Sequence, residues 1–350
     1  MLTATGPARS ASKTAFATLG CLVLALNSPV TAATFGKDQR RPLTAADRSA
    51  AQSIGWLKTP KSGAFCSAFC VAPDVIATAS HCLFGTKDAP RGDLEETIFT
   101  LAENGLAGTA IAGRQTGNVS QNILAGTKAL RTTPPIDAHD DWALARLDAP
   151  ICSGRVLPLS RPRQSAAEPL ANIAYHRDIA GTRLSASGDC WPRTGTDIGN
   201  AARDFLAAPR LLFHDCDTGG GSSGSPIFRE TATGPEVIAI NVGTYVVAKA
   251  VVSAGDQQEE QSLPVANTAV IAYGLTQKIA ALEARELIET EPQMLALAHE
   301  LRSRGLYPGP ITGRANAALS EAVKTYERLS GLPETGLFLV STLRRLETER

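Results

Sequence analysis

From about residue 53 to residue 275 the chain is a succession of short apolar or β-branched runs separated by turn signals. VIATAS, TIFTLA, WALARL, NIAYH, RLLFH, SPIF and VIAINVGTYVVAKAVV are among them. Runs of that length and spacing favour an all-β barrel or sandwich over a helical or parallel α/β fold. Two segments, ENGLAGTAIAGRQTGNVSQN and RTTPPIDAHD, read as exposed loops. The period then changes. LTQKIAALEARELIET, PQMLALAHELRSRG, ALSEAVKTYERLSG and VSTLRRLETE place apolar residues at helical spacing, so a small all-α module is expected to close the chain. Pro292 marks its boundary, because proline begins or ends a helix more readily than it interrupts one. A length of 350 residues agrees with about two domains.

The N-terminus carries Arg9 and Lys13, then the apolar stretch TAFATLGCLVLALN, then PVTAA, where Val30 and Ala32 suit a small-residue cleavage site. That pattern reads as a secretory signal peptide over residues 1–32. A membrane anchor would need roughly 20 apolar residues, more than this stretch supplies. Lipid attachment at Cys21 is disfavoured because apolar sequence continues past it. A secreted or periplasmic location follows, without a stable membrane anchor. Removal of Cys21 leaves Cys66, Cys70, Cys82, Cys152, Cys190 and Cys216, an even set that in an oxidising compartment implies three disulfides among 15 combinations. Residues 33–52 are polar and form a candidate N-terminal arm or propeptide. Basic and acidic residues balance at 34 each, with no long block of like charge, so no nucleic-acid partner is expected.

The stretch GGGSSGSPIF, residues 219–228, raises the question of a linker against a loop built to hold one serine. A nucleophilic serine needs a base and an anion elsewhere. Upstream, FCSAFCVAPDVIATASHC leads an apolar run into His81, bracketed by Cys66 and Cys82, and HDDWALARL places Asp141 at the start of another apolar run. His81, Asp141 and Ser223 follow one of the known chain orders for a serine triad.

In ATASHC, DWALARL and GSSGSP, in that order and over roughly residues 53–280, the chain resembles the trypsin-fold serine peptidases. GTYVV and HDCDTGGGSSGSP look most like the bacterial, glutamyl-endopeptidase-like branch. The resemblance implies an all-β double barrel over residues 53–280 and a serine endopeptidase acting on protein or peptide substrates. Its site would be His81 as base, Asp141 as its orienting acid and Ser223 as nucleophile. The N–H groups of Gly221 and Ser223 would form the oxyanion hole, each donor contributing roughly 3 kcal/mol. Asp140 competes with Asp141, which is preferred because it directly precedes the apolar run, as in the family. The resemblance also pairs Cys66 with Cys82. If the Cys70 strand runs antiparallel to the one after Asp141, counting outward brings Cys70 near Cys152, and Cys190 then remains with Cys216.

Asp217 stands where trypsins select a basic side chain, but Gly219 replaces the cysteine those enzymes place two residues later, so Asp217 reads equally as a residue that stabilises its loop. Asn241 and Gly243, in INVGTY, stand where glutamyl-specific relatives read an acidic one, with Asn241 in place of histidine. Ser222 occupies the position of the aspartate that meets a new amino terminus in cleavage-activated relatives, which argues against the usual insertion switch; a propeptide ending near Arg40 or Arg41, with the new N-terminus acting differently as in the bacterial branch, stays open. No cofactor is implied. A zinc site near Cys190, Cys216, His176 and His214 is disfavoured, since metal-ligand spacings are absent. With His139 and His299, these histidines read as solvated or structural.

The segment LALAHELRSRGLYPGPITGRANAALSEAVKTYERLSGLPETG resembles the three-helix peptidoglycan-binding module, through Gly305, Tyr307, Gly309, Gly313, Leu332 and Gly336. Thr312, Asn316 and Leu319 depart from its usual Asp, Gly and Thr. The resemblance implies a domain over residues 292–350, after a linker helix at 281–291, that binds peptidoglycan or instead docks on the protease or on a protein partner. Two rival readings stand beside the peptidase: a non-catalytic wall-associated binding protein, which an intact triad argues against, and a serine esterase, which the same triad would serve.

Overall fold

A computed structural model of the chain describes residues 20–23, 33–59, 63–90, 97–102, 107–109, 122–162, 168–179, 184–194, 197–252, 258–283, 286–288, 290–332 and 334–349. Most of the signal-peptide segment and most of the first expected loop lie outside the described residues. The strands, in chain order, are β1 (Gly20–Val23), β2 (Arg41–Pro42), β3 (Ile54–Thr59), β4 (Ala64–Ala72), β5 (Val75–Thr78), β6 (Ile98–Leu101), β7 (Ala107–Thr109), β8 (Ile123–Ala125), β9 (Ala143–Arg146), β10 (Leu170–Tyr175), β11 (Leu184–Cys190), β12 (Leu211–His214), β13 (Pro226–Thr231), β14 (Gly234–Val252) and β15 (Gln258–Ile271). The helices are α1 (Arg48–Ala51), α2 (Ser80–Phe84), α3 (Thr276–Glu283), α4 (Glu291–Ser303), α5 (Ala317–Leu329) and α6 (Val340–Thr348).

The strands form two curled antiparallel sheets. One runs β7-β6-β3-β4-β5-β9-β8; the other runs β12-β15-β14-β13-β10-β11-β2, with β1 laid on β14. The architecture is the all-β double barrel expected, followed by helices. VIATAS, WALARL and SPIF become the buried strands β5, β9 and β13, because continuous apolar runs suit strands covered on both faces. In β3 one face, Gly55, Leu57 and Thr59, is buried, while on the other Trp56 is half-buried and Lys58 exposed.

All three disulfide pairings are present, joining Cys66 to Cys82, Cys70 to Cys152 and Cys190 to Cys216. The premise offered for the second differs from the structure. β5 lies between β4 and β9, so Cys70 and the strand after Asp141 are not neighbours. Cys152 reaches Cys70 through the turn after β9, whose Cys152 N–H donates to Pro73 O at 3.0 Å and whose Leu157 N–H donates to Cys70 O at 3.1 Å.

In the C-terminal module Leu297, Leu301, Leu319, Val323, Tyr326 and Leu346 form a separate core between α4, α5 and α6. Thr290 and Asn316 cap α4 and α5, their side-chain oxygens accepting from Gln293 N–H and Leu319 N–H. Asn316, one of the departures from the module's pattern, thus serves as a helix cap, and Leu319, another, is buried core. In the stretch from 275 to 290, where a longer helix was expected, α3 covers Thr276–Glu283 and residues 286–288 are not helical. Leu287 instead bridges Leu339, and Ile288 N–H donates to Phe338 O at 2.8 Å, an arrangement that buries both Leu287 and Ile288. Leu287 and Leu337 join the larger core of the barrels. Lys278 on α3 donates to Thr335 O at 3.1 Å and lies 5.7 Å from the Trp142 ring centroid.

Candidate active site

β5 runs into the one-turn helix α2, which carries His81 and Cys82. The Cys66–Cys82 disulfide ties that turn to β4. Asp141 closes a short 3-10 turn just before β9, and its N–H donates to Ala138 O at 3.0 Å. Since β5 and β9 pair, with Thr78 opposite Ala143, the ends carrying His81 and Asp141 are brought side by side. Both side chains are fully buried. Asp141 Oδ2 meets His81 Nδ1 at 2.7 Å, and Oδ1 accepts the His81 main-chain N–H at 2.9 Å. Both carboxylate oxygens therefore address one residue, which fixes the ring and its tautomer with Nδ1 protonated. Asp140 is turned away, 3.3 Å from His139 Nε2 and 3.6 Å from Arg210 Nη1.

Ser223 arrives from the second sheet. The Cys82 sulfur lies 3.8 Å from His81 Nε2 and 3.8 Å from the Ser223 carbonyl oxygen, so imidazole and serine main chain flank the same disulfide. The serine's loop is held by its backbone. Ser67 N–H on β4 donates to Ser223 O at 2.8 Å, and Gly224 N–H donates to Asn241 O at 2.7 Å. Gly221 has φ +100°, a conformation glycine adopts at little cost. Its carbonyl accepts from Ser67 Oγ at 2.9 Å. Among the described residues no protein acceptor takes the N–H of Gly221 or of Ser223, the two donors expected to face an oxyanion.

Ser67 is the residue that sequence reasoning missed. Besides those bonds, its Oγ accepts Tyr175 N–H at 3.0 Å and its carbonyl accepts from Thr78 Oγ1 at 2.8 Å. One serine thus links β4, the approach to His81, β10 and the nucleophile loop. Its only trace in the sequence is a polar residue inside the apolar run FCSAFC.

The residues considered for specificity are placed differently from one another. Asn241 braces the loop, its Nδ2 donating to Ser222 O at 3.2 Å and Ser222 Oγ at 3.3 Å. Gly243 O accepts from Thr268 Oγ1 at 3.1 Å. Both carboxylate oxygens of Asp217 accept main-chain N–H groups of the N-terminal arm. His214 and His176 are buried beside this region. Burial pushes His214 down to about 3 and His176 down to about 4. His214 Nδ1 accepts Cys216 N–H at 3.3 Å, and His176 Nδ1 contacts Ser185 Oγ at 2.8 Å. His139 is half-buried and His299 exposed. Among the described residues Cys66, His81 and Cys82 bring potential metal-ligand atoms within 4.8 Å of one another. Two of the three are joined in a disulfide and have no thiolate to offer.

Comparison with known proteins matches residues 66–240 to the trypsin-like peptidase domain family and residues 290–346 to a peptidoglycan binding domain. No curated protein matches the chain. Similar solved structures include a Glu endopeptidase in complex with MPD, with 15% identity, 72% of this chain and 99% of that chain covered and a TM-score of 0.45. The thermostable serine protease AL20 from an extremophilic microorganism has 17% identity, coverage of 64% and 92% and a TM-score of 0.41. The protease Anisep from Arthrobacter nicotinovorans has 16% identity, coverage of 64% and 91% and a TM-score of 0.43.

Proposed function

Because the chain belongs to the trypsin-like peptidase family, we propose that it is an exported serine endopeptidase working through His81, Asp141 and Ser223 and an acyl-enzyme on Ser223. The observation that carries the reading is the buried Asp141–His81 pair, with Asp141 spending both oxygens on His81 and the imidazole sharing a disulfide flank with Ser223. Ser223 Oγ attacks the scissile carbonyl while its proton passes to His81 Nε2. Asp141 holds Nδ1–H and stabilises the imidazolium. The N–H groups of Gly221 and Ser223 receive the developing oxyanion. His81 then protonates the leaving amine, and water, activated by the same imidazole, releases the acyl group. Three disulfides support an oxidising destination, and among the described residues no helix is long and apolar enough to cross a membrane. The C-terminal module binds peptidoglycan and keeps the protease near the wall.

The test is a fluorophosphonate label located by peptide mass, with Ser223→Ala as control. An adduct on Ser223 that disappears in the alanine variant is the expected result. A folded protein that takes no label, with or without limited proteolysis near Arg41, overturns the reading in favour of a binding protein. Release of amide fluorophores as well as simple esters separates a peptidase from an esterase. For the module, the full chain is expected to sediment with insoluble peptidoglycan; a chain that stays in solution removes the wall-binding role.

A further inference from the structure

Asp217 precedes Ser223 by six residues and is only 3% exposed. Its Oδ1 accepts Phe35 N–H at 2.8 Å, its Oδ2 accepts Gln39 N–H at 2.7 Å, and its own N–H donates to Ser187 Oγ at 2.9 Å. Thr218, the next residue, bridges Ala33, donating to Ala33 O at 3.1 Å. Arg40 continues the contact. Its guanidinium reaches Asp38 at 2.7 Å and Asp178 at 2.6 Å, with a side chain 4% exposed. Arg40 Nη1 and Asp178 Oδ1 would lie 2.7 and 2.6 Å from a Cβ added at Gly219, so a side chain there would have to displace the ends of the Arg40–Asp178 pair. Phe35 lies under Arg193 at 4.9 Å, and Arg41 and Pro42 pair with β11.

A buried carboxylate whose two oxygens already accept main-chain N–H bonds cannot turn to a substrate cation without stranding an amide. We propose that Asp217 is a positioning residue that clasps the arm, residues 33–40, against the segment leading to Ser223, so that the arm stays in the working enzyme and Asp217 selects no basic side chain. The proposal rests on the serine endopeptidase reading, and it assigns the clasp the job of shaping the nucleophile loop. Cleavage after Arg40 or Arg41 would carry Phe35 and Gln39 away from Asp217 and undo the clasp.

The test uses the secreted full-length product together with Asp217→Ala, the milder Asp217→Asn, and Arg40→Ala, which lies in the arm. Three readouts are taken: the N-terminal residue of the labelled species, the susceptibility of the arm to an added protease, and kcat and KM across a peptide library varied at the residue before the cut. The active species is expected to begin before Phe35. Asp217→Ala and Arg40→Ala are expected to expose the arm to cleavage and to lower kcat tenfold or more for every substrate, with the ranking of substrates unchanged; Asp217→Asn, which keeps an acceptor, moves in the same direction by less. An active species beginning after Arg40 or Arg41 overturns the proposal. So does a loss confined to Arg and Lys substrates in Asp217→Ala. If the wild-type protein proves inactive and unlabelled, the endopeptidase reading fails, while arm protection still decides the clasp: an arm equally resistant in Asp217→Ala and wild type refutes it.

Discussion

The two halves of the candidate site are held by different kinds of bond. His81 is fixed through side chains: both Asp141 oxygens point at it, and a disulfide grips the adjacent residue. Ser223 is fixed through main chain: its carbonyl, that of Gly221 and the N–H of Gly224 are taken by Ser67 and Asn241, bonds that do not use its hydroxyl. The imidazole half must present one tautomer, which a carboxylate selects. The serine half must present a hydroxyl and two N–H donors, which only backbone shape can arrange. Substitutions should therefore damage the first half through chemistry and the second through geometry.

The largest effect tests the first half alone. Asp141→Asn is expected to leave the fold intact and lower kcat about 10,000-fold, because an amide can stabilise the wrong tautomer of His81. Steady-state rates beside an unchanged circular dichroism spectrum check it, and a loss below tenfold would mean that the carboxylate does not orient His81. Gly224→Ala attacks the second half. Gly224 has φ +85°, and an added Cβ would lie 2.1 Å from Thr78 Oγ1 and 2.2 Å from Ser67 O. Destabilisation of about 3 kcal/mol or more is expected, since the Ser67 main chain and the buried Thr78 hydroxyl must both move; urea midpoints measure it, and a fluorophosphonate label slowed in the same variant locates the damage.

Ser67→Ala is smaller and sharper. It removes the Gly221 contact and leaves Tyr175 N–H without its partner, at a cost of about 1–3 kcal/mol. A fall in kcat with little change in KM is the expected split, because the loop rather than the substrate pocket shifts. An unchanged kcat would show that the nucleophile loop holds its shape without Ser67.

Acid should loosen the serine half first. His176 and His214 stay neutral in the fold, with values pushed down to about 4 and about 3 from 6.5, so below pH 6.5 the unfolded chain binds protons that the folded chain refuses. Their stability contribution is complete above pH 6.5 and is lost as pH falls toward the folded values, at up to about 1.4 kcal/mol per pH unit for each histidine. Urea midpoints at pH 7 and pH 5 read the slope, which His214→Gln should flatten. Hydrogen exchange should rise at pH 5 in β10 and β12 before β5 and β9; the reverse order would break the contrast between the halves.

Much of this was legible without coordinates. β5, β9 and β13 came from uninterrupted apolar runs, which report burial on both faces. His81, Asp141 and Ser223 stood in recognisable local settings, since each needs a strand end or a turn that the sequence itself encodes. α4 was marked by Pro292 and α5 by its apolar period. Other features had no local signature. Ser67 reads as a stray hydroxyl in a strand, and Phe35, Gln39 and Arg40 belong to a segment without periodicity. The helix expected beyond Glu283 yields at Leu287 to a bridge with Leu339, 52 residues away, in which Leu287 is buried.

By itself the sequence determined that β5, β9 and β13 are strands, where α4 begins and which residue types stand ready for chemistry, because periodicity and turn residues act over a few neighbours. Only the tertiary structure decided that both Asp141 oxygens address His81, that Ser67 links the two sheets at the nucleophile, and that Asp217 faces the arm. These depend on hydrogen bonds between residues 60 to 182 positions apart, and a buried polar group takes whichever partner the fold brings within reach.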